Sequence, residues 1–207
     1  MKKNAAKTLE IERERYILDK IKTAGSVQVD SLAKELDVST MTIRRDLTSL
    51  KTRGLISRCY GGAIIKQETP YHNKKVSNAA EKCRIAKAAI QFIKSNDTVF
   101  LDAGTTTYQI ALLIADREDV TVITDDVQIA MMLSQSRINV YVCGGYIQKA
   151  TGCVMGMFAE QIIGNFLIDA AFIGTAAIDE AFTVRTPTLE KVALKRKIAE
   201  NSDRAYL

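Results

Sequence analysis

The sequence predicts two domains, a small helical domain that ends in a β-hairpin and a larger α/β domain with a mainly parallel sheet. The first prediction rests on three short amphipathic segments within residues 8–53, followed by two strand-like runs on either side of Gly61-Gly62. The second rests on strand-like and helix-like segments that alternate from residue 78 onward. The predicted boundaries are residues 1–65 for the first domain, 66–77 for a polar linker, and 78–207 for the second domain.

The first domain is predicted element by element from helix caps and apolar spacing. Apolar residues at helical spacing predict a helix over residues 8–23, and the alternation at 26–29 predicts a very short strand. Asp30 and Ser39 are N-cap residue types, so a second and a third helix are expected to begin after them. The third helix is expected to turn Ile43, Leu47 and Leu50 inward and to end at Gly54, before the hairpin.

The positive charge of the chain is concentrated in its first third. The 207 residues carry a formal net charge of +5; residues 1–75 hold 16 Lys and Arg against 9 Asp and Glu, whereas residues 76–207 hold 13 against 15. The first segment therefore has an excess of seven positive charges. This asymmetry indicates a polyanionic partner for the N-terminal domain, although a solvated basic face would carry the same charge.

Cysteine usage and hydropathy argue against a metalloprotein and a membrane protein. The four cysteines form no CxxC pair and His72 is the only histidine, so we expect reduced thiols, no metal site and no cofactor. No apolar run reaches the roughly 18–20 residues that span a bilayer, and no apolar stretch follows the basic start. We therefore expect a cytoplasmic protein without a membrane partner.

Helix, short helix, tight turn, basic helix and hairpin together make up a winged helix-turn-helix. An α-helix fits the major groove of DNA, and its N-terminal side chains reach base edges. Thr40, Thr42 and Arg44 suit hydrogen bonds to bases, whereas the other arginines suit phosphates, and the assignment among the arginines stays open. The residues predicted to contact DNA are Ser39, Thr40, Met41, Thr42, Arg44, Arg45, Arg53, Arg58 and Tyr60.

An acidic residue on the predicted recognition helix needs a separate account. Phosphate repels a carboxylate, so we interpret Asp46 as the ion-pair partner of a nearby arginine rather than as a DNA contact. A three-helix unit that binds another protein, or no partner, would show the same helix pattern. The charge asymmetry favours DNA over that alternative.

Several residue runs in the first domain are specific to one family. Arg13, Ile17 and Ile21 precede Ser39, the run TIRRDL at 42–47 and the wing sequence RCYGGA. In these residues the chain resembles the DeoR family of bacterial transcriptional regulators. The resemblance implies that the third helix is the recognition helix and that the Gly-Gly pair shapes the wing.

The second domain alternates helices and strands in the order of βα units, which favours a parallel sheet. Helices are predicted at residues 78–93, 105–115, 127–136, 157–166 and 187–202, and strands at 97–104, 120–126, 139–145 and 167–176, with another beginning at 205. In such sheets ligands bind beyond the carboxyl ends of the strands.

Small and polar residues follow several of the predicted strands. The run 102–107, DAGTTT, joins a strand to a helix, whose free N-terminal amides and threonine hydroxyls suit a phosphate. An N-capped turn without a ligand would have the same composition. Asp125, Gly144-Gly145 and Gly174 lie at or beyond other strand ends, and their convergence at one edge would make a pocket.

The resemblance to the DeoR family also covers this second domain. It implies a sensor that is similar in fold to sugar-phosphate isomerases and that binds a phosphorylated sugar or a related metabolite. The residues implied to line the effector site are Asp102, Gly104, Thr105, Thr106, Thr107, Gly144, Gly145 and Lys195. A solvated surface position is the alternative for Lys195, which lies in a basic run.

The chain departs from the family pattern in three places. Asp125 stands where the family usually has Asn, and a carboxylate suits sugar hydroxyls better than phosphate, so we include it in the effector site. The glycine that often precedes the residue matching Thr183 is missing. Family members also continue past the residue at which this chain ends, so we interpret the second domain as incomplete and expect its sensing to be impaired.

The leading hypothesis is a homo-oligomeric repressor of carbohydrate-metabolism genes that binds a double-stranded DNA operator and is released by a phosphorylated sugar. A second hypothesis is a DNA-binding protein whose C-terminal domain only oligomerises. A third is a sugar-phosphate isomerase, with Asp102, Asp125 and Asp126 as candidate bases and Lys195 as their electrostatic partner. We do not expect an enzyme, because the second domain contains no histidine.

Overall fold

The computed structural model divides the chain into two compact units, each described separately below. The described residues are 10–24, 26–59, 61–65, 70–178, 181–186 and 188–207. The first unit comprises the described residues within 1–69 and 176–187, and the second those within 70–175 and 188–207. No helix in these described ranges is long and apolar enough to cross a membrane.

The N-terminal part of the first unit is a winged helix-turn-helix, as predicted. Three helices pack beside a small antiparallel sheet in which β3 lies between β1 and β2. In chain order the elements are α1 (Glu10–Ala24), β1 (Ser26–Gln28), α2 (Val29–Glu35), α3 (Thr40–Thr52), β2 (Ile56–Cys59) and β3 (Gly62–Ile65).

The core of these helices is formed by the apolar stripes that the spacing predicts. On α3, Ile43, Leu47 and Leu50 are completely buried, and they pack with Ile17 and Ile21 of α1 in one cluster. Burying a side chain of this size stabilises the fold by about 1.5–3 kcal/mol. The opposite face of α3 therefore remains free to carry polar residues.

Gly62 is required by the close approach of two strands in the wing. β1 pairs with β3 in the register Gln28↔Gly62, and a Cβ at Gly62 would lie 1.9 Å from the carbonyl oxygen of Val27. That separation is far inside van der Waals contact, so a side chain would push β1 off the sheet. The sequence predicts the hairpin, but pairing of the hairpin with β1 is visible only in the structure.

The second unit is built on a five-stranded parallel sheet in the order β12-β9-β4-β5-β6. Its helices are α4 (Tyr71–Val76), α5 (Ala79–Ala89), α6 (Thr105–Ile114), α7 (Val127–Leu133), α8 (Met157–Gly164) and α9 (Leu189–Glu200). The sheet strands are β4 (Thr98–Leu101), β5 (Thr121–Thr124), β6 (Asn139–Val142), β9 (Ile168–Phe172) and β12 (Ser202–Tyr206). The parallel α/β architecture predicted from the alternation of elements is confirmed.

The central strands of this sheet are buried on both faces. Alternate residues of β4 belong to different apolar clusters: Val99 and Leu101 pack in the cluster of α5, α6 and α7, whereas Phe100 packs in the cluster of α8 and α9. This explains why the β4 sequence, TVFL, has consecutive apolar residues instead of alternating apolar and polar ones.

Three short features were not predicted. Residues 71–76 of the segment interpreted as a linker form α4, and the Tyr71 N–H donates to the Ala150 carbonyl at 2.8 Å. Two small antiparallel hairpins also occur, β7 (Tyr146–Gln148) with β8 (Cys153–Met155), and β10 (Ala177–Ile178) with β11 (Val184–Arg185). Strands of two or three residues are too short to show a period.

Candidate DNA-binding surface and ligand site

The N-terminus of α3 is fixed by its own first residues. Ser39 caps the helix: its Oγ accepts from the Thr42 N–H at 3.1 Å and lies 2.9 Å from the Thr42 hydroxyl. One of the free amides of the helix end is thereby satisfied. Ser39 and Thr42 therefore hold each other in place at the end of α3 that is predicted to enter the major groove.

The solvent-facing side of α3 carries the polar and basic residues that the sequence assigns to DNA. Thr40, Arg44 and Arg45 are exposed, and Thr42 is half-buried. Met41 is 72% exposed, and its apolar side chain suits contact with a thymine methyl group. The side chains predicted to meet base edges thus lie opposite the buried stripe.

Asp46 holds α3 in place from the buried side of the helix. Its carboxylate is completely buried and accepts two hydrogen bonds from Arg13 of α1, at 2.5 Å from Nε and 2.8 Å from Nη2. The prediction that Asp46 pairs with an arginine is confirmed, although the partner lies 33 residues away in sequence. Two parallel bonds of this kind fix the rotation of one helix against the other.

Two of the predicted phosphate-contacting arginines have partners within the first unit. Arg53 caps the opposite end of α3, and its guanidinium donates to the buried carboxylate of Glu14. Arg58 on β2 lies beside α3, with its Nη1 3.4 Å from the Arg44 carbonyl. Arg58 is therefore close to the basic face, and Arg53 pairs with Glu14 while its side chain stays 51% exposed. Tyr60 lies outside the described residues.

In the second unit, the predicted ligand residues meet at the carboxyl edge of the sheet. The chain runs from β4 to β5 and β6 on one side and later returns to β9 and β12 on the other. After β4 the chain continues to α6, which packs on one face of the sheet, and after β9 it leads to α9, which packs on the other face. This divergence of the connections is the topology that leaves a crevice for a ligand. Asp102 follows β4 and Gly174 follows β9, and the Gly174 N–H donates to Asp102 Oδ2 at 2.7 Å.

Lys195 of α9 bonds to both Asp102 and Gly174. Its ammonium donates to Asp102 Oδ2 and, at 2.8 Å, to the Gly174 carbonyl. Burial alone would lower the pKa of Lys195, but the charge and hydrogen bond of Asp102 raise it above its ordinary value. Lys195 is therefore a charged group held inside the site, and the alternative of a solvated surface lysine is wrong.

The loop of residues 102–107, called the threonine loop, is held together by the Thr107 hydroxyl and by the carboxylate of Asp126. Thr107 is buried and its hydroxyl donates to the carbonyls of Asp102, at 2.6 Å, and Gly104, at 2.8 Å. The Gly104 N–H donates to Asp126 Oδ2 at 3.0 Å. Thr105 is also buried and Thr106 is half-buried. Thr107 thus shapes the loop, and Asp126 occupies one amide that an anion would use.

Asp125 is the least satisfied charged group of the site. It is completely buried at the end of β5; its Oδ2 accepts from the Cys153 thiol at 3.2 Å, and no hydrogen-bond partner of Oδ1 is described. Burial, with the nearby negative charge of Asp102, raises the pKa of Asp125 to about 8. The carboxyl is therefore mainly protonated at neutral pH.

Of the two glycines after β6, Gly145 has a structural reason that sequence reasoning did not supply. Gly145 has φ of +144°, and a Cβ there would lie 2.5 Å from the Met155 carbonyl oxygen. Because β7 pairs with β8 in the register Tyr146↔Met155, any larger residue would separate that hairpin from the turn. Gly144 is only half-buried and would meet Ile162 at an ordinary 3.5 Å.

Two residues near the site were not predicted from the sequence. Cys153 is buried and bonds Asp125, and the buried hydroxyl of Tyr71 has no described partner. Burial and the charge of Asp126 raise the pKa of Tyr71 above its ordinary value. Neither residue stands in a recognisable motif, so only the fold brings them together.

Comparisons with known proteins cover both units. Residues 13–69 match the DeoR-like helix-turn-helix domain, and residues 77–207 match the DeoR C terminal sensor domain. Among solved structures, ribose 5-phosphate isomerase A from Methanocaldococcus jannaschii is similar to 62% of the chain and covers 51% of its own length, at 16% identity and a TM-score of 0.46.

The curated relatives that match most of this chain are transcriptional regulators rather than enzymes. The lactose phosphotransferase system repressor of Lactococcus lactis subsp. lactis is 35% identical over 80% of this chain and 68% of its own length. The transcriptional regulator IolR of Bacillus subtilis is 30% identical over 95% and 78%, and the glycerol-3-phosphate regulon repressor of Escherichia coli K12 is 29% identical over 95% and 79%. The chain belongs to the DeoR family of transcriptional regulators.

Proposed function

We propose that this regulator represses carbohydrate-metabolism genes by binding a specific operator and that a phosphorylated sugar releases it. The observation that carries the proposal is the face of α3, where Thr40, Arg44 and Arg45 are exposed above a helix fixed by a buried ion pair. Relatives named as repressors of a glycerol-3-phosphate regulon and of a lactose phosphotransferase system support the choice of genes.

In this proposal the N-terminal half of α3 reads the operator. Thr40, Met41 and Arg44 contact base edges in the major groove, and Arg45 contacts a phosphate. Arg58 supports α3 from the wing, and Arg53 stabilises the domain through Glu14 instead of binding DNA. Phosphate contacts release counterions, so affinity falls as salt rises.

The effector site is proposed at the carboxyl edge of β4, β5 and β9. The phosphate of the ligand binds at the N-terminus of α6 and draws Lys195 away from Asp102, and sugar hydroxyls bind Asp102 and Asp125. Residues 78–207 thus form the sensing domain, and residues 1–65 the DNA-binding domain. Effector and operator then weaken each other's binding by the same factor, because coupling between two sites is reciprocal.

A homo-oligomer is part of the proposal. Helix-turn-helix regulators commonly bind two half-sites one helical turn apart, and linking two binding events raises the overall affinity. The operator is therefore expected to contain a repeated or palindromic half-site.

A second candidate function is DNA binding with a C-terminal domain that only oligomerises. The specific observation that favours it is that two groups proposed to meet the phosphate already have partners within the protein: Lys195 is bound to Asp102, and the Gly104 amide is bound to Asp126. A ligand must replace both contacts. In this alternative, no metabolite changes the affinity for DNA.

A fluorescence anisotropy titration tests these proposals. Labelled fragments from upstream of the gene and its neighbours are titrated at two salt concentrations, with and without a panel of sugar phosphates. Specific binding that weakens with salt and with one sugar phosphate is the expected result. Specific binding that no metabolite alters favours the second candidate, and the absence of specific binding contradicts the DNA-reading proposal.

A further inference from the structure

Three buried carboxyl groups at the carboxyl edge of the sheet differ in how their charge is compensated. Asp126 accepts three backbone N–H bonds at the N-termini of α6 and α7. Asp102 is bound to the Lys195 ammonium. Asp125, which is completely buried, accepts from the Cys153 thiol at Oδ2, and its Oδ1 has no partner among the described residues. Asp125 therefore offers an oxygen that a ligand group can still bind.

The charges around Asp125 are more negative than positive. The described titratable groups beside Asp125 or beside its thiol partner are Asp102, Asp126, Cys143, Cys153, Lys191 and Lys195. Burial raises the pKa of both thiols, so the thiols stay neutral. Among these described groups, three carboxyls therefore stand against two ammonium groups, and one negative charge is in excess when Asp125 is ionised.

A sugar phosphate without a positive charge would increase that excess. Lys195 is the most exposed of these side chains, at 16%, so a ligand phosphate reaches it first. When the phosphate draws Lys195 away, the buried carboxylate of Asp102 loses its counter-charge. Buried charge without a partner is costly. A ligand that brings a cation together with its phosphate removes this cost.

We propose that the effector is an amino sugar phosphate, whose ammonium group binds Oδ1 of Asp125 while its phosphate binds Lys195 and the N-terminus of α6. Binding exchanges one cation for another: the Asp125 carboxyl releases its proton to solvent, and the carboxylate then accepts from the ammonium of the sugar. Without ligand, the raised pKa of Asp125, about 8, keeps that proton in place at neutral pH. The inference rests on the proposed function, because it names the class of ligand for the proposed sensing domain.

The first test compares matched pairs of probes by calorimetric titration of the full 207-residue chain. Glucosamine 6-phosphate and glucose 6-phosphate differ only in an ammonium in place of a hydroxyl, as do galactosamine 6-phosphate and galactose 6-phosphate. In at least one pair the amino member is expected to bind about 10-fold more tightly or better, because charge-assisted hydrogen bonds are stronger than neutral ones. Equal or weaker binding of the amino member in both pairs overturns the proposal, as does failure of all four probes to bind.

The second test assigns the ammonium to its partner in the protein. Asp125→Asn keeps the shape of the side chain but carries no charge, so it is expected to bind the two members of the pair equally. Asp116→Asn is the matched control, because it removes an exposed carboxylate of the same unit and is expected to keep the preference. Urea denaturation checks that both variants fold. A preference that persists in Asp125→Asn refutes the contact with Asp125.

Proton release tests the same exchange in the wild-type protein. Titrations at neutral pH in two buffers of different ionisation enthalpy give the number of protons released on binding. The amino member is expected to release about one proton more than its neutral partner, because the Asp125 carboxyl ionises only when the ammonium binds. Equal release by both members contradicts the exchange at Asp125.

Operator release separates this inference from the proposed function. In the anisotropy assay, the amino member is expected to release the operator at a concentration about 10-fold lower than its neutral partner does. Release at the same concentration by both members refutes the amino sugar class alone. If the amino member binds with the expected preference and the affinity for the operator stays unchanged, the proposed release fails and the ligand class stands.

Discussion

The recognition helix and the carboxyl edge of the parallel sheet use charge in opposite ways. On α3, Arg44 and Arg45 are solvated, and the buried pair below them, Arg13 and Asp46, serves only to hold the helix. At the sheet edge, the carboxylates proposed to meet the ligand, Asp102 and Asp125, are buried, and Asp102 is paired with Lys195, whose side chain is only 16% exposed.

This difference in the use of charge follows from the kind of partner that each region is proposed to bind, DNA or a small ligand. A DNA groove approaches from solvent, so basic side chains can stay hydrated until binding releases counterions. A small ligand must be enclosed, and charges inside its site stay out of water only if they have partners. The winged helix-turn-helix is therefore expected to lose stability when the Arg13–Asp46 pair is broken. The stability of the parallel-sheet unit is expected to depend on the protonation of its buried carboxyl groups.

Removing the support of α3 is expected to have the largest effect. Asp46→Asn removes the carboxylate that accepts both hydrogen bonds from the buried guanidinium of Arg13, which is expected to cost about 3–5 kcal/mol in free energy of unfolding. Urea denaturation of wild type and variant measures this loss. The control is Asp119→Asn, which weakens the pair with Arg117 on a partly exposed surface and is expected to cost much less, because water screens exposed ion pairs. Equal losses in the two variants would refute the anchoring role.

The protonation state of the sheet edge is tested by the pH dependence of stability. The raised pKa of Asp125, about 8, means that the folded state keeps a proton that the unfolded chain has released above about pH 4. Stability is therefore lost as pH rises from about 4 to 8, by at most about 1.4 kcal/mol per pH unit.

Asp125→Asn removes this titration and keeps the size of the side chain. Its stability relative to wild type is expected to increase between pH 6 and pH 8, as measured by urea denaturation at several pH values. Asp126 also titrates, since burial raises its pKa to about 6, and it stays intact in both proteins. Parallel pH profiles for wild type and Asp125→Asn would contradict a buried, protonated Asp125.

The exposed arginines are expected to differ from each other. Arg44→Ala removes a base contact and is expected to cost about 1–3 kcal/mol in operator binding while relaxing the preference at one base pair. Arg45→Ala is expected to weaken specific and non-specific binding alike and to lower the salt slope by about one. Anisotropy titrations on operator and scrambled fragments distinguish them. If Arg45→Ala relaxes the base preference and Arg44→Ala lowers the salt slope instead, Arg45 contacts the base and Arg44 the phosphate.

The smallest effect is expected at the cap of α3. Ser39→Ala removes the acceptor for the Thr42 N–H and is expected to cost about 1 kcal/mol of stability. Ser39→Asp retains an acceptor and should stay close to wild type in thermal denaturation. If Ser39→Asp loses as much stability as Ser39→Ala, the hydroxyl acts through something other than the cap.

The order of elements and the buried stripe of α3 were predictable because they depend on local spacing. Apolar residues at three and four positions apart place Ile43, Leu47 and Leu50 on one face whatever surrounds the helix. The convergence of Asp102 and Gly174 followed from βα alternation, since strand ends of one parallel sheet share an edge. Lys195 was linked to that edge by resemblance alone.

Only the tertiary structure decided which charges pair. The sequence indicated that Asp46 needs an arginine, but Arg13 becomes the partner because α1 packs across α3. It placed Arg53 among the DNA contacts, and the fold pairs Arg53 with Glu14 while leaving its side chain 51% exposed. Ion pairs depend on distances between side chains far apart in the chain. Spacing along one segment therefore determines helices and strands, and packing between segments determines which of their charges stay free to bind a partner.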